Sequence, residues 1–435
     1  MPITTAKALR RSIEDSNRHL TQLKLELGEC SDLVGITHEI RHLRSARRLV
    51  IGSEEVAMDM SEPNWLSEDA FMLFDALAAL RGVQVIQLQD LGITFGPQGP
   101  RFPVVLLTRL LQTRVGVARG SLKRLNLSVR LAGDHKAFQE LAHCLEGQHS
   151  LQHVAWEEWC FPTTDVGNDA AYFDFNPIVA GLASLPRLES LSVKAMTAGS
   201  RRANLGTLAP ATLSTLISHA RLRQLQLAHF QLDNKTVRAL ANALPYTTTL
   251  QLLSIDLSKT GSRGATKLFD SLRENTTIAD LQIWASTHSS WAQDDVLKHL
   301  AKNVLTRHET IESVTILTHS RTLQEAVQNL TVVNDRIASA FVRMMETNYT
   351  LEHLVLDDYG SSNIPTKNDA RLMGMIHFYL ALNQSKRRQH LMQEYHTYSR
   401  SDWTDLLAMA VRSDRDIRLE ALYYFLRLNP SLCQL

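Results

Sequence analysis

Four side chains able to hold a transition metal, Cys144, His149, His153 and Cys160, fall in one short stretch of the chain. Zinc sites draw their ligands in close pairs a few residues apart. Here the steps are five, four and seven residues, which match no familiar finger. Cys144 sits in a helical pattern and His153 at a strand position, so the four are expected to diverge. A second candidate is Gly261-Ser-Arg-Gly-Ala-Thr-Lys267, with the glycines and lysine of a phosphate loop. Its spacing fails, because no Gly-Lys-Ser/Thr follows four residues after a glycine. The single His and Cys residues suggest no nucleophile and base within bonding reach of each other. We expect no catalytic residue, no metal and no cofactor, and hence not an enzyme.

The residue types that remain suit binding. The stretch Trp156–Pro177 holds Trp156, Trp159, Phe161, Tyr172, Phe173 and Phe175, well above the chain average of 6% aromatic. It coincides with a band, Ala137 to Pro186, that carries seven acids, Glu157 and Glu158 among them, and no Lys or Arg. Trp156 occupies a core position. The other rings either form an anchor rimmed by acids, suited to a basic protein partner, or fold back over the edge of the array. The flanking bands are basic. Arg81 to Arg130 has eight Lys/Arg against Asp90, and Arg187 to Arg223 has six against Glu189. A net charge of +1 hides this alternation, which a partner would feel band by band because screening acts over about 8 Å. The basic cluster around Arg109, Arg114, Arg119, Lys123 and Arg124 lacks interleaved aromatics and any nucleic-acid motif. Nucleic acid is therefore not the partner we expect.

These side chains need a scaffold, and the chain repeats one. Between Leu222 and Ile283 three apolar runs are spaced first, fourth and sixth: Leu222-Leu225-Leu227, Leu252-Ile255-Leu257 and Ile278-Leu281-Ile283. Residues four and six are two apart and so share one face of a strand. After two of the runs a helical pattern follows. Val237, Leu240, Ala241 and Leu244 share a face behind the cap candidates Asp233 and Asn234, and Ala265, Leu268, Phe269 and Leu272 repeat it. Strand, helix, strand implies parallel pairing. Such a unit cannot bury its own apolar face, so neighbours must stack. The chain is expected to be an α/β leucine-rich repeat solenoid, a curved parallel sheet inside and helices outside.

Further runs begin at Leu20, Ala46, Val83, Leu122, Leu151, Leu188, Ile311 and Leu351, making eleven candidate strands with 26 to 40 residues between starts. Residues 1–19 read as an N-terminal cap, 20–362 as about eleven irregular repeats, and 363–435 as a helical C-terminal cap. The residues between core positions should face outward. They include Arg48, Arg124, His153, Lys194, Gln224, Gln226, Ser254, Asp256, Asp280 and Trp284. Together with the insertion 156–177 they form the expected contact surface.

The segment Thr260–Ile283, TGSRGATKLFDSLRENTTIADLQI, resembles the repeat of ribonuclease-inhibitor-type leucine-rich proteins, through its Gly-x-x-Gly-Ala turn, helix and Asn-Thr-Thr return. That family usually has Asn, Cys or Thr at position nine, tying neighbouring turns. Thr260 fits, whereas Phe230 and Tyr359 do not, so irregular turns are expected. FYLALNQSKRR and YYFLRLNPSLC resemble closing helices of uncharacterised leucine-rich proteins of unicellular algae.

At 435 residues, 44% hydrophobic and 21% charged, the composition is that of an ordered soluble protein. Four scattered cysteines suit a reduced compartment. With no secretory signal in the sequence, the cytoplasm is expected, with the nucleus open. Six Asn-x-Ser/Thr sequons read as repeat wording rather than glycosylation sites. The expectation is a non-catalytic protein-interaction scaffold of unknown oligomeric state, acting away from membranes. The alternatives are a GTPase regulator, hinted at by Arg48, and an actin-capping protein similar to tropomodulin. Replacing Trp159 and Phe161 by Ala is expected to weaken partner binding with cooperative melting retained. Lost cooperativity would place those rings in the core.

Overall fold

The computed structural model describes residues 3–16, 18–27, 32–52, 67–91, 102–117, 121–129, 131–132, 135–160, 175–197, 208–286, 294–319, 335–356 and 367–384. The chain divides into two compact units, Met1–Gln231 and Leu232–Leu435. Each is an α/β leucine-rich repeat array.

In the first unit, seven strands pair in parallel in chain order. They are β1 (His19–Glu26), β2 (Ser45–Gly52), β3 (Val85–Leu91), β5 (Arg124–Val129), β7 (His153–Cys160), β8 (Ser190–Thr197) and β9 (Gln224–Gln231). A separate two-stranded parallel ladder joins β4 (Phe102–Pro103) to β6 (Leu131–Ala132). The helices between strands are α1 (Ala6–Asp15), α2 (Leu33–His42), α3 (Glu68–Ala78), α4 (Val104–Val117), α5 (His135–Glu146), α6 (Asn176–Ala183) and α7 (Pro210–Ile217), each packed on the next. Local chemistry starts them. Thr5, Asp32 and Ser67 accept from the backbone N–H three residues on, while α6 and α7 open on proline.

The second unit pairs β10 (Leu252–Asp256), β11 (Asp280–Ser286), β12 (Ser313–His319) and β13 (His353–Leu356) in parallel. Its helices are α8 (Asn234–Ala243), α9 (Ser262–Leu272), α10 (Asp294–His299), α11 (Asp335–Thr347) and α12 (Lys367–Gln384). Of the two cap candidates of α8, Asp233 is the cap, accepting from Thr236 N–H at 2.7 Å. Asn234 instead takes the N–H of Gly261 at 3.0 Å. This explains the glycine-rich turn, because a Cβ on Gly264 would stand 2.6 Å from Asn234 Oδ1. α12 opens the expected C-terminal helical region, and residues 385–435 lie outside the described set.

Ten of the eleven apolar triplets align as expected, with Leu23, Leu49, Ile86, Leu125, Val154, Leu191 and Leu225 opposite one another in the first unit. The exception is Leu252-Ile255-Leu257. Leu253 and Ile255 pair with Leu281 and Ile283, so the true triplet is Leu250-Leu253-Ile255. LQLLSIDL contains both frames, and a two-residue slip preserves the alternation of faces. The corrected start makes both neighbouring spacings 28 residues (222 to 250, 250 to 278) instead of 30 and 26.

Position nine also resolves. Phe230, in the place of a polar turn residue, is fully buried in a ring series with Phe175 (6.0 Å), which in turn meets Trp156 (4.8 Å). The corrected frame puts Ser258 at position nine and Thr260 at eleven, where Thr260 Oγ1 donates to Leu232 O at 2.8 Å and ties adjacent turns.

The Asn-Thr-Thr returns are structural. Asn275 Nδ2 donates to Leu244 O (2.8 Å) and Thr247 Oγ1 (2.7 Å), and its Oδ1 accepts from Thr277 and Ile278 N–H. Asn348 does the same towards Leu305 O and His308 O, and Asn383 Nδ2 reaches Leu351 O at 2.7 Å. All three are sequon asparagines, and all are buried.

His308 fills the equivalent place. Its Nδ1 faces the N–H groups of Thr310 and Ile311, so it must accept, and Nε2 donates to Leu272 O at 3.0 Å. Burial holds its pKa below the ordinary histidine value, against the pull of its carbonyl partners. The unfolded chain then takes up a proton that the folded chain refuses. The stability from His308 is complete above the unfolded pKa, about 6.5, and is lost as pH falls towards the depressed folded value. His308→Asn, which copies Asn275 and Asn348, is expected to flatten the fall in urea midpoint between about pH 6.5 and pH 5. An unchanged pH profile would place the sensitivity elsewhere.

Candidate functional site

The first unit turns three rows of side chains to the strand face opposite its helices. The first row runs Gln22, Arg48, Val85, Arg124, His153, Ser190 and Gln224. The second runs Lys24, Val50, Gln87, Asn126, Ala155, Ser192 and Gln226. The third runs Glu26, Gly52, Gln89, Ser128, Glu157, Lys194 and Ala228. Parallel register brings residues far apart in sequence to neighbouring strands about 4.8 Å apart. Hydrogen bonds then join neighbouring strands, the first below diagonally between two rows and the other two along a row. Arg48 Nη2 donates to Gln87 Oε1 at 2.7 Å, Ser190 Oγ to Gln224 Oε1 at 3.1 Å and Ser192 Oγ to Gln226 Oε1 at 3.0 Å. The side chains are thus partly ordered before any partner arrives, which lowers the entropy cost of binding.

Of the expected site residues, Arg124 and Gln224 are exposed, and His153, Glu157, Lys194 and Gln226 are half-buried on this one face. Glu157 and Lys194 stand directly opposite each other. His153 is held below the ordinary histidine pKa by burial and then by the Arg124 charge, with Glu189 pulling the other way. A depressed pKa keeps this imidazole neutral, so it offers one donor and one acceptor rather than a charge.

The insertion divides. β7 carries the backbone of Glu158 and Trp159, whose side chains lie outside the described set, as do Phe161, Tyr172 and Phe173 entirely. Phe175 is a core ring, so of the two readings of these aromatics it follows the one in which they fold back onto the array. It leads into α6 and fills the space between Trp156 and Phe230.

The second unit presents Leu252, Asp280, Ser313 and His353; then Ser254, Gln282, Thr315 and Val355; then Asp256, Trp284 and Leu317. Two expected contact residues are corrected here. Asp256 and Ser254 are each only 2% exposed. Asp256 Oδ1 accepts from Ser258 N–H at 2.8 Å and so shapes the turn after β10. Ser254 Oγ accepts from Trp284 Nε1 at 3.4 Å, so the indole reaches across to the neighbouring strand. Alternation places a side chain on a face but does not say what a large neighbour covers. Trp284 itself is half-buried, while Val355 is 47% exposed. Asp280 Oδ2 accepts from Gln282 Nε2 at 3.3 Å, and its Oδ1 is buried with no hydrogen-bond partner among the described residues.

Away from the strand faces, Arg10, Ile13, Glu14, Arg18, His38, Glu39 and His42 line a depression of about 410 Å³ between α1 and α2. Its buried Glu39 is taken by Arg10, whose hydrogen bond holds the carboxyl below the usual range against the effect of burial. Arg109, in the basic cluster, pairs with Asp75 at 2.7 Å and lies over the Phe71 ring. Among the described residues no three His, Cys, Asp or Glu side chains converge as a metal would need. Nor is any described helix long and apolar enough to cross a membrane.

Sequence reasoning missed the interstrand hydrogen bonds and the Arg10–Glu39 pair, which join residues 29 or more apart. The repeat spacing itself was the available signal, since it predicts which residues stand opposite.

No family model matches the sequence, and no curated protein does. Among solved structures, the chain is similar to leiomodin-1 actin-binding site 2 at 16% identity, over 37% of this chain and 80% of that one, with a TM-score of 0.27. It is also similar to a structure of the Rad7 and Elc1 complex in yeast at 13% identity, over 84% of this chain and 85% of that one, with a TM-score of 0.40. The repeat assignment rests on strand register, not on these scores.

Arg124→Gln is expected to raise the His153 pKa towards its ordinary value, because the repelling charge goes and Glu189 remains. An NMR titration of the imidazole resonances reads this directly. An unmoved or lowered pKa would show that Arg124 does not act on His153.

Proposed function

We propose that the chain is a non-catalytic protein-interaction scaffold, and that its contact surface is the strand face of the first unit. The observation that supports this reading most is the register of three polar rows bearing interstrand hydrogen bonds. A rigid mixed surface of this kind presents carboxylate, cation, amide and neutral imidazole groups at fixed spacings. The ribonuclease-inhibitor-like wording of Thr260–Ile283 supports the same reading by resemblance. The acidic and aromatic insertion 156–177, with Trp159, Phe161, Tyr172 and Phe173, would extend the surface towards a basic partner.

The test places bulk on the central row. Asn126→Arg with Ser192→Arg should remove a defined set of neighbours from proximity labelling in the native cell, with the melting temperature shifted by only a few degrees. A control, Lys136→Glu on the exposed side of α5, should leave that set unchanged. Identical labelling by wild type and the double variant, with both folded, would overturn the assignment of this face.

A further inference from the structure

The edge of the first unit where the strands begin carries a second feature, which shares only Arg124 with the strand face. A ladder of backbone hydrogen bonds defines this edge. Arg44 N–H donates to Arg18 O, Gln84 N–H to Arg47 O, Lys123 N–H to Gln84 O and Gln152 N–H to Lys123 O. Ser45 also bridges to Arg81. The segments leading into β1, β2, β3 and β5 are thereby held side by side. They bring together Arg18, Arg44, Arg47, Arg81, Lys123 and Arg124, all exposed. No ion pair among the described residues engages any of the six. The described residues of these four segments contain no acid. Glu14 and Glu39 line the α1–α2 depression together with Arg18, and the run stops at Glu189 beside β8.

Two further observations point to use rather than accident. Arg18 has φ 68°, the only non-glycine residue with positive φ among those described. Glycine or asparagine takes that conformation more readily, yet an arginine stands there with its carbonyl occupied by the ladder. Five of the six cations are also arginine, whose planar fork binds carboxylates in pairs of hydrogen bonds.

We propose that this strand-start edge docks an acidic polypeptide segment, one rich in Asp and Glu and lying across β1, β2, β3 and β5. A chain crossing these segments would meet a cation on each of four neighbouring strands, about 4.8 Å apart. Described residues of these segments include no Tyr, Trp or Phe, so the stacking platform that single-stranded nucleic acid uses is missing. The proposal depends on the scaffold reading only in that the partner is a protein.

The test uses the full chain and fluorescein-labelled sixteen-residue polyglutamate, read by fluorescence anisotropy, with sixteen-residue oligothymidylate as the competing probe. Polyglutamate should bind, and its affinity should fall at least tenfold between low and physiological salt. The triple variant Arg44→Glu, Arg47→Glu, Arg81→Glu should weaken it at least tenfold, and the milder Gln triple at least threefold. Lys235→Glu with Lys267→Glu in the second unit should leave it within twofold. Circular dichroism checks that every variant is folded; should the Glu triple misfold, the Gln triple decides. Absent polyglutamate binding, or binding that ignores the folded triple, overturns the proposal and leaves the strand-face reading to its own labelling test. Tighter binding of oligothymidylate, lost in the same triple, would overturn it in favour of nucleic acid.

Discussion

Each helix of a leucine-rich repeat ends in carbonyl groups that the helix itself cannot satisfy. In several repeats of this protein they are answered by a polar side chain three residues ahead of the first core leucine or isoleucine, buried in the second unit and half-buried at His219 in the first. Asn275, His308 and Asn348 hold that place in the second unit, and His219, whose Nε2 lies 2.7 Å from Leu185 O, holds it in the first. The same side chains accept backbone N–H groups of the turn into the next strand. One residue thus closes a helix, opens a strand and ties two repeats. An unsatisfied buried polar group costs about 1–3 kcal/mol, so a polar residue at this place must find its partners there. The tie needs a donor and an acceptor on one short side chain, which Asn and neutral His supply.

Where the tie is present it fixes the strand start, whereas ahead of Ala46, Val83 and Leu188 the same place holds the buried Leu43, Leu80 and Leu185, and backbone hydrogen bonds between neighbouring segments hold the start. Once the starts are aligned, the apolar triplets stack into one seam and the intervening residues fall into rows. The polar rows of the first unit are a by-product of the same constraint that builds its core. So is its basic edge, because the residues at the strand starts are exposed and free to carry charge. Arg44, Arg47, Arg81 and Lys123 sit where the backbone ladder already satisfies the main chain. Their side chains are left with no structural duty among the described contacts.

The two units use their strand faces differently. In the first, Ser190, Ser192, Gln224 and Gln226 form hydrogen bonds between strands and stay at least partly accessible. In the second, Trp284 leans on Ser254, and the nearby Asp256 is drawn into a turn. A single large ring converts what would be a polar row into a partly apolar surface flanked by Val355 and Leu317. Aromatic side chains combine large area with few rotamers, so one such residue reshapes a face that alternation alone would call hydrophilic.

The fold, the ten triplets that align as read and the helix faces were all legible in the chain alone, and the cap of α8 was narrowed there to Asp233 or Asn234. All of these depend on residues close in the chain, where periodicity is a direct consequence of backbone geometry. The Leu250 frame, the buried Asp256, the ring series Trp156–Phe175–Phe230 and the convergence of arginines at the strand-start edge were decided only by tertiary structure. LQLLSIDL satisfies two frames equally, and pairing with Leu281 and Ile283 chooses between them. Phe230 looks wrong at a polar turn position until Phe175, 55 residues earlier, is seen to fill the same space. Residues tens of positions apart become neighbours through stacking, and a pattern read along one strand contains no information about which side chain the next strand sets beside it.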